Sequence, residues 1–359
     1  MTNDAFSPSS VLSGHKAFGY LRVLSSLSTE IQIPLGVVRG TGPGPTLAVT
    51  AGLFAHEYCG VEAAARLYQA ITPEQLSGTL LIVPVVDISC LQFRTPWLTL
   101  ARSVNPHDGL VLNRLFPGEP PAIQKQLVAY RQQAIAAGDP TGSVSKHIAY
   151  KLFHDVVLTA DYHVELRGGD LDESHLAHTV FLTMGTDTDP QSEEMAKVAG
   201  LNYVLPGTPE VGHTSKGTLI YETASRGIPS IIIESGLGYR VQPFEDSISR
   251  HVEGVSNLLK YFGMVEGIPS RPKHQHFLDS VWHWIPAPAE GFFHALNDQG
   301  DHVARDQIIG RVTAIDGSEL ATIASPIDGI VHCMFPRRVI SRGDDVFTLL
   351  KVGPPTGFS

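Results

Sequence analysis

Acidic and basic side chains recur where apolar runs give way to glycine-bearing turns. Glu57 lies beyond the β-rich run at 45–51, beside His56; His163, Glu165 and Arg167 alternate along 162–167; Glu234 follows Ile231-Ile232-Ile233 and precedes Gly236. Residues two apart on a strand share a face, so His163, Glu165 and Arg167 read either as a displaced site or as a satisfied polar cluster beneath one. Glu57 and Glu234 in one pocket would repel, and one would take up a proton, an arrangement suited to general acid/base chemistry. Arg167 would supply a cation that cannot deprotonate at accessible pH. Arg114, next to Asn113, has the planar fork that holds a carboxylate through two hydrogen bonds. His213, between Gly212 and Gly217, serves either as a general acid or as an ordinary loop histidine. Adjacent residues diverge on a helix or a strand, so His56 reads as a surface or supporting residue rather than as a partner of Glu57.

These residues belong to an ordinary globular chain. With 359 residues, 43% hydrophobic and 17% charged, it can bury a sizeable core in one large domain plus a smaller one. A net charge of -10, with no run of lysines and arginines, leaves no electrostatic footprint for nucleic acid or an anionic membrane. No basic-then-apolar start and no stretch of eighteen apolar residues are present, so a cytoplasmic location is expected. Cys59, Cys90 and Cys333 are too few and scattered for a disulfide framework, and each reads as a small buried apolar residue.

Positioning falls to alternating strands and helices. Runs at 31–39 and 45–51, separated by Gly40-Thr41-Gly42-Pro43-Gly44-Pro45, read as an edge hairpin. Helical spacing over 58–71, a strand at 79–86, helices at 122–137 and 143–159, strands at 162–166 and 179–183, a helix at 191–199, a strand at 229–235 and a helix at 244–262 follow. The alternation predicts an α/β, doubly wound sheet over 1–267 with its site at the carboxyl ends of strands. Residues 268–285 begin with Ile268-Pro269-Ser270-Arg271-Pro272 and read as a linker, and 286–352 as an all-β module of short strands and glycine turns.

Four segments carry a family resemblance. They are Ala51-Gly52-Leu53-Phe54-Ala55-His56-Glu57-Tyr58-Cys59-Gly60, Asp161-Tyr162-His163-Val164-Glu165-Leu166-Arg167-Gly168-Gly169, Asp108-Gly109-Leu110-Val111-Leu112-Asn113-Arg114-Leu115-Phe116-Pro117-Gly118 and Gly227-Ile228-Pro229-Ser230-Ile231-Ile232-Ile233-Glu234-Ser235-Gly236. Together they resemble the succinylglutamate desuccinylase/aspartoacylase branch of the zinc carboxypeptidase-like (M14-type) deacylases, over residues 31–352. The resemblance implies a mixed sheet of zinc-carboxypeptidase type, a C-terminal lipoyl-like β-barrel module, and hydrolysis of a C–N bond in an N-acyl amino acid. It also implies a zinc ion held by His-x-x-Glu and by the histidine of Asp-Leu-His. Phe54 and Arg167 stand where those histidines belong, leaving Glu57 alone. The resemblance further gives Glu234 the proton-shuttling role and has Asn113 and Arg114 bind the substrate carboxylate, with Arg102 as a further substrate arginine. No lysine occurs between His274 and Leu350, so the β-module is a cap or assembly element rather than a swinging carrier arm.

Loss of both imidazoles removes the neutral donors on which such a zinc site depends, so no cofactor is expected. Arg167 is expected to pair with Glu57, a separation beyond about 6 Å refuting the idea, while Phe54 fills the vacated volume. Three readings follow, in this order. The first is a small-molecule enzyme with metal-independent acid/base chemistry, Glu234, Arg167 and Glu57 as catalytic residues, and Asn113, Arg114, Arg102 and His213 around the substrate. The second is an inactive relative that binds a ligand or regulates a partner. The third is a metallohydrolase with a shifted shell drawn from Glu57, His56 or His163. The expected partner is a small carboxylate substrate, with a homo-oligomer compatible with the resemblance.

Overall fold

Apolar strands buried on both faces organise the chain into one large mixed sheet. The computed structural model describes residues 6–25, 30–92, 105–118, 143–169, 173–210, 213–238, 244–336 and 338–356. Its first strands are β1 (His15–Ser25), β2 (Glu30–Arg39), β3 (Gly42–Ala51) and β4 (Ser77–Val83), with helices α1 (Tyr58–Ala70) and α2 (Ile88–Gln92). Next come α3 (Val144–Asp155), β5 (Tyr162–Arg167), β6 (Ser174–Leu182), α4 (Asp189–Val198), β7 (Tyr203–Gly207), α5 (Leu219–Ala224), β8 (Ser230–Leu237) and α6 (Glu245–Tyr261). The predicted helix at 122–137 lies outside the described residues.

The sheet runs β1-β2-β4-β3-β5-β8-β6. Its centre, β4, β3, β5 and β8, is parallel, and β6 is antiparallel to β8. The edge-hairpin reading of the 31–39 and 45–51 runs is corrected, because β4 inserts between β2 and β3 and β2 instead pairs antiparallel with β1. Helices cover both faces. Leu47, Val49, Val164, Leu166, Ile231 and Ile233 pack under α1, α4 and α6, whereas Ala48, Leu81 and Val83 pack under α3 through Ile148, Leu152 and Phe153. Close approach at the strand ends requires glycine. A Cβ on Gly60 would sit 2.8 Å from the Leu166 carbonyl oxygen, and one on Gly168 only 2.2 Å from that of Ser235.

The remaining strands are β9 (Gln275–Leu278), β10 (His283–Pro286), β11 (Gly291–Ala295), β12 (His302–Val303), β13 (Ile308–Thr313), β14 (Glu319–Ala324), β15 (Gly329–Met334), β16 (Val339–Ile340), β17 (Asp345–Leu350) and β18 (Val352–Thr356). Residues 268–285, read as a linker, contain β9, which pairs with β7 and β18. The C-terminal strands divide between two sheets: β14-β13-β11-β16 form a small sheet of their own, while β15, β17 and β10 continue the large sheet beyond β6. A core of Phe293, Ile309, Val312, Phe347 and Leu349 fills the space among them, and Ile330 and Leu350 pack with Val180 and Ile232 of the large sheet. Among the described residues no helix is long and apolar enough to cross a membrane.

Candidate active site

The carboxyl ends of β3, β5 and β8 put the charged residues side by side. In the register of the sheet Arg167 is the neighbour of Glu234, and Glu234 in turn is the neighbour of His178 on β6. The turn after β3 brings in Phe54, and Glu57 sits at the start of α1. A cavity of about 440 Å³ opens there, lined by Phe54, Glu57, Arg114, Arg167, Glu234 and His213 among others. A larger cavity of about 790 Å³ over α6 shares only His175 with it.

Arg167 is the centre of this site. Its Nε lies 3.5 Å from Glu165 Oε1, 3.9 Å from Glu57 Oε2 and 4.0 Å from Glu234 Oε2, and its guanidinium carbon sits 4.7 Å from the centre of the Phe54 ring. The aromatic face adds on the order of 1 kcal/mol of cation–π attraction. Glu57 is held from the other side by the Gly168 amide, which donates to Oε2 at 3.1 Å. Arg167 Nε and Nη1 are nevertheless buried without a hydrogen-bond acceptor, as are both Glu165 oxygens and Glu234 Oε1 without a donor. Burial works against the guanidinium charge, but Glu234, Glu57 and Glu165 overcome it and keep Arg167 a cation.

A third carboxyl, that of Glu165, lies within reach of Arg167. Burial, reinforced by Glu234, pushes Glu165 up to about 7 in spite of Arg167 and Arg114. Glu165 is 1% exposed, and taking a carboxyl out of water favours its neutral form.

The remaining sequence candidates separate by position. His213 lines the cavity, with burial, then the positive charge of Arg167, holding its pKa well below the usual value. His163 is fully buried and its two ring nitrogens are engaged by Thr50 (3.0 Å) and Ser230 (2.8 Å). Burial lowers its pKa to about 3, and it is a neutral core residue outside the cavity. His56 is buried against Tyr58 and does not line the cavity either. A shell drawn from Glu57, His56 and His163 is therefore not assembled. Asn113 is buried, and its Oδ1 accepts the Leu219 amide at 2.9 Å, so it fixes the start of α5 and leaves the cavity wall to Arg114. Arg102 lies outside the described residues.

Several lining residues went unnoticed in the sequence: Glu173, His175, His178, Glu210, Trp282, Trp284, His332, Cys333 and Phe335. Trp282 and Trp284 stack at 5.9 Å, and Trp282 meets His213 and His332 edge-on at 5.0 and 4.5 Å. His178 Nδ1 donates to the Leu176 carbonyl at 2.8 Å and its Nε2 lies 3.4 Å from His332 Nε2. The one available sequence signal was the density of histidines at 175, 178, 213 and 332, scattered over elements that only the fold brings together.

The donor set does not fit the zinc ion of the resemblance. The Phe54 ring offers no donor atom, and the guanidinium of Arg167 is a cation lying against Glu57, the one oxygen ligand left. Among the described residues no group of three or more His, Cys, Asp or Glu side chains is arranged to hold a metal ion.

Comparison with known proteins supports the class. Residues 43–262 match the model of the succinylglutamate desuccinylase/aspartoacylase catalytic domain. The chain belongs to this family and is thereby an enzyme of hydrolase type. It is 26% identical over 330 residues to an N-alpha-acetyl-L-2,4-diaminobutyric acid deacetylase of Halomonas elongata, covering 90% of this chain and 86% of that one. The succinylglutamate desuccinylase/aspartoacylase structure from Rhodobacter sphaeroides superposes with a TM-score of 0.76 at 22% identity, covering 94% of this chain and 95% of the other. The product-bound ectoine utilization protein EutE (DoeB) from Ruegeria pomeroyi gives 0.77 at 20% identity, with the same coverage. These two likenesses show the shared fold.

Proposed function

We propose that the protein hydrolyses the amide bond of an N-acylated, amino-acid-like carboxylate, and that Arg167 replaces the zinc ion as the electrophile. The observation that carries this reading is the buried guanidinium at the end of β5, with Nε and Nη1 free of hydrogen-bond acceptors in a cavity that retains Glu57, Glu234 and Arg114. A carbonyl oxygen placed there gains negative charge as it is attacked, and a fixed cation in a water-poor site stabilises that charge selectively in the transition state. Glu234, with an unpartnered Oε1, moves the proton between nucleophile and leaving amine. Arg114 binds the substrate carboxylate, with Asn113 holding the loop beneath it, and His213 contributes a neutral imidazole on the far side of the substrate. Phe54 excludes water from the guanidinium.

The Halomonas relative is by name a deacetylase of an N-alpha-acetylated diamino acid, so N-acetyl amino acids are the first substrates to test, N-succinyl ones the second. Purified protein stripped of metal is incubated with each in the presence of EDTA, and released amine is measured. Release that survives EDTA and falls by about 10²-fold or more in Glu234→Gln supports the reading. Absence of release from every N-acyl amino acid, with the fold intact, overturns it.

A further inference from the structure

Water without a Lewis acid is a weak nucleophile at neutral pH, and the wall of the cavity carries a thiol, that of Cys333. Strands β6 and β15 meet antiparallel over a short ladder in which Cys333 is the partner of His175 and Met334 of Ser174. Both strands slip register at this point, β6 between His175 and His178 against β8, and β15 between Val331 and Cys333 against β17. On an unbroken strand residues one or three apart point to opposite faces. A bulge re-aims them, and His175, His178, His332 and Cys333 all line the same cavity.

Three of the lining residues stand together. Cys333 and His175 are opposite partners in the ladder, the Cys333 thiol donates to the Met334 carbonyl at 3.6 Å, and His175 Nε2 lies 3.1 Å from Glu173 Oε2. His175 Nδ1 is buried and has no hydrogen-bond partner, which leaves it available to take the thiol proton. Burial pushes the Cys333 thiol up while His175 pulls it down. Burial likewise opposes a charge on His175, yet Cys333, Glu234 and Glu173 hold its pKa well above the usual histidine range. Transfer of the thiol proton to His175 gives a thiolate beside an imidazolium, the reactive form of such a pair.

Building on the amide-hydrolase reading above, we propose that Cys333, delivered by the C-terminal strands, is the nucleophile, with His175 as its proton carrier and Glu173 positioning that histidine. The thiolate sulfur adds to the acyl carbon, forming a C–S bond while the carbonyl π pair moves to oxygen beside Arg167. The tetrahedral adduct collapses with cleavage of the C–N bond, and the amine leaves with the proton that His175 took from the thiol, relayed through Glu234. Water then adds to the thioester, giving a proton to His175, and cleavage of the C–S bond releases the carboxylic acid and restores the thiolate–imidazolium pair. The sum is amide plus water to acid plus amine.

Two readouts test this separately from the overall function. In the first, turnover of an N-acetyl amino acid is stopped with acid, and intact-mass and peptide analysis is expected to find one acyl group on Cys333. Cys333→Ala and Cys333→Ser, checked for an unchanged melting profile, are expected to lose roughly 10³-fold or more in kcat. Turnover within about threefold of the parent in both variants overturns the thiol while leaving the hydrolase reading standing. In the second, iodoacetamide labelling is followed by mass spectrometry and requires no substrate. Cys333 is expected to label faster than Cys59 and Cys90, with a labelling pH profile that shifts in His175→Asn and, to a smaller extent, in Glu173→Gln. If Cys333 labels no faster than the other two cysteines, or if its profile is unmoved in His175→Asn, the proposal fails whatever the turnover assay shows.

Discussion

Replacing Glu165 by glutamine tests the electrostatics of the site most quantitatively. Glu165 is 1% exposed, and burial lifts it from an ordinary 4.5 to about 7. A carboxyl raised in the folded state binds more protons folded than unfolded between those two values, so its contribution to stability is complete below pH 4.5 and is lost as the pH rises through about 7. The difference between about 7 and 4.5, at 1.36 kcal/mol per pH unit, amounts to roughly 3 kcal/mol. Glu165→Gln keeps the shape and removes the titration. Urea unfolding of both proteins across pH 4.5 to 8.5 is the assay, and the parent is expected to lose roughly 3 kcal/mol relative to Glu165→Gln over that span, the loss levelling off above about pH 8. Parallel stability curves, or a parent that gains relative to the variant with rising pH, would refute a protonated Glu165 beneath Arg167.

Arg167→Met removes the cation from among three carboxylates, and kcat for amide hydrolysis is expected to fall by about 10²- to 10³-fold, with Arg167→Lys recovering part of it; a kcat within a few fold of the parent would show that the guanidinium is not the electrophile. Arg114→Ala is expected to raise KM for an N-acyl amino acid at least about tenfold with a smaller change in kcat, the signature of lost ground-state binding. Asn113→Ala strands the Leu219 amide and is expected to cost about 1–3 kcal/mol in denaturant unfolding. Introducing Phe54→His with Arg167→His rebuilds a His-x-x-Glu and a strand-end imidazole around Glu57, and elemental analysis is expected to show zinc bound near one per chain in the double variant.

Much of the fold was legible because burial imposes period. The strands at β3, β5 and β8 and the helices α1, α3, α4 and α6 appear where apolar residues repeat at two or 3.6. The contact of Arg167 with Glu57 was legible because the family resemblance puts Arg167 at a zinc-ligand position beside Glu57, and the 3.9 Å separation lies within the expected limit. Strand order was not, since nothing local to 31–51 reports that β4 will insert between β2 and β3. The raised carboxyl of Glu165 was not foreseen because its shift comes from burial, which the sequence alternation of His163, Glu165 and Arg167 does not report. The His175, His178, His332 and Cys333 group was hidden for a sharper reason. Period-two reasoning assigns neighbours and residues three apart to opposite faces, and only the register slips of β6 and β15 return them to one cavity. The linker reading of 268–285 followed prolines, and missed that β9 has β7 and β18 available as partners.

The central claim is that a guanidinium stands in for zinc, and it is tested most directly by amide turnover measured on the same sample as its metal content. Protein dialysed against chelator, verified by elemental analysis to hold far less than one metal per chain, is assayed with N-acetyl amino acids with and without added zinc. Undiminished turnover, indifferent to zinc and lowered by about 10²- to 10³-fold in Arg167→Met, is the expected result. Turnover that disappears on chelation and returns in proportion to one bound zinc per chain would contradict it.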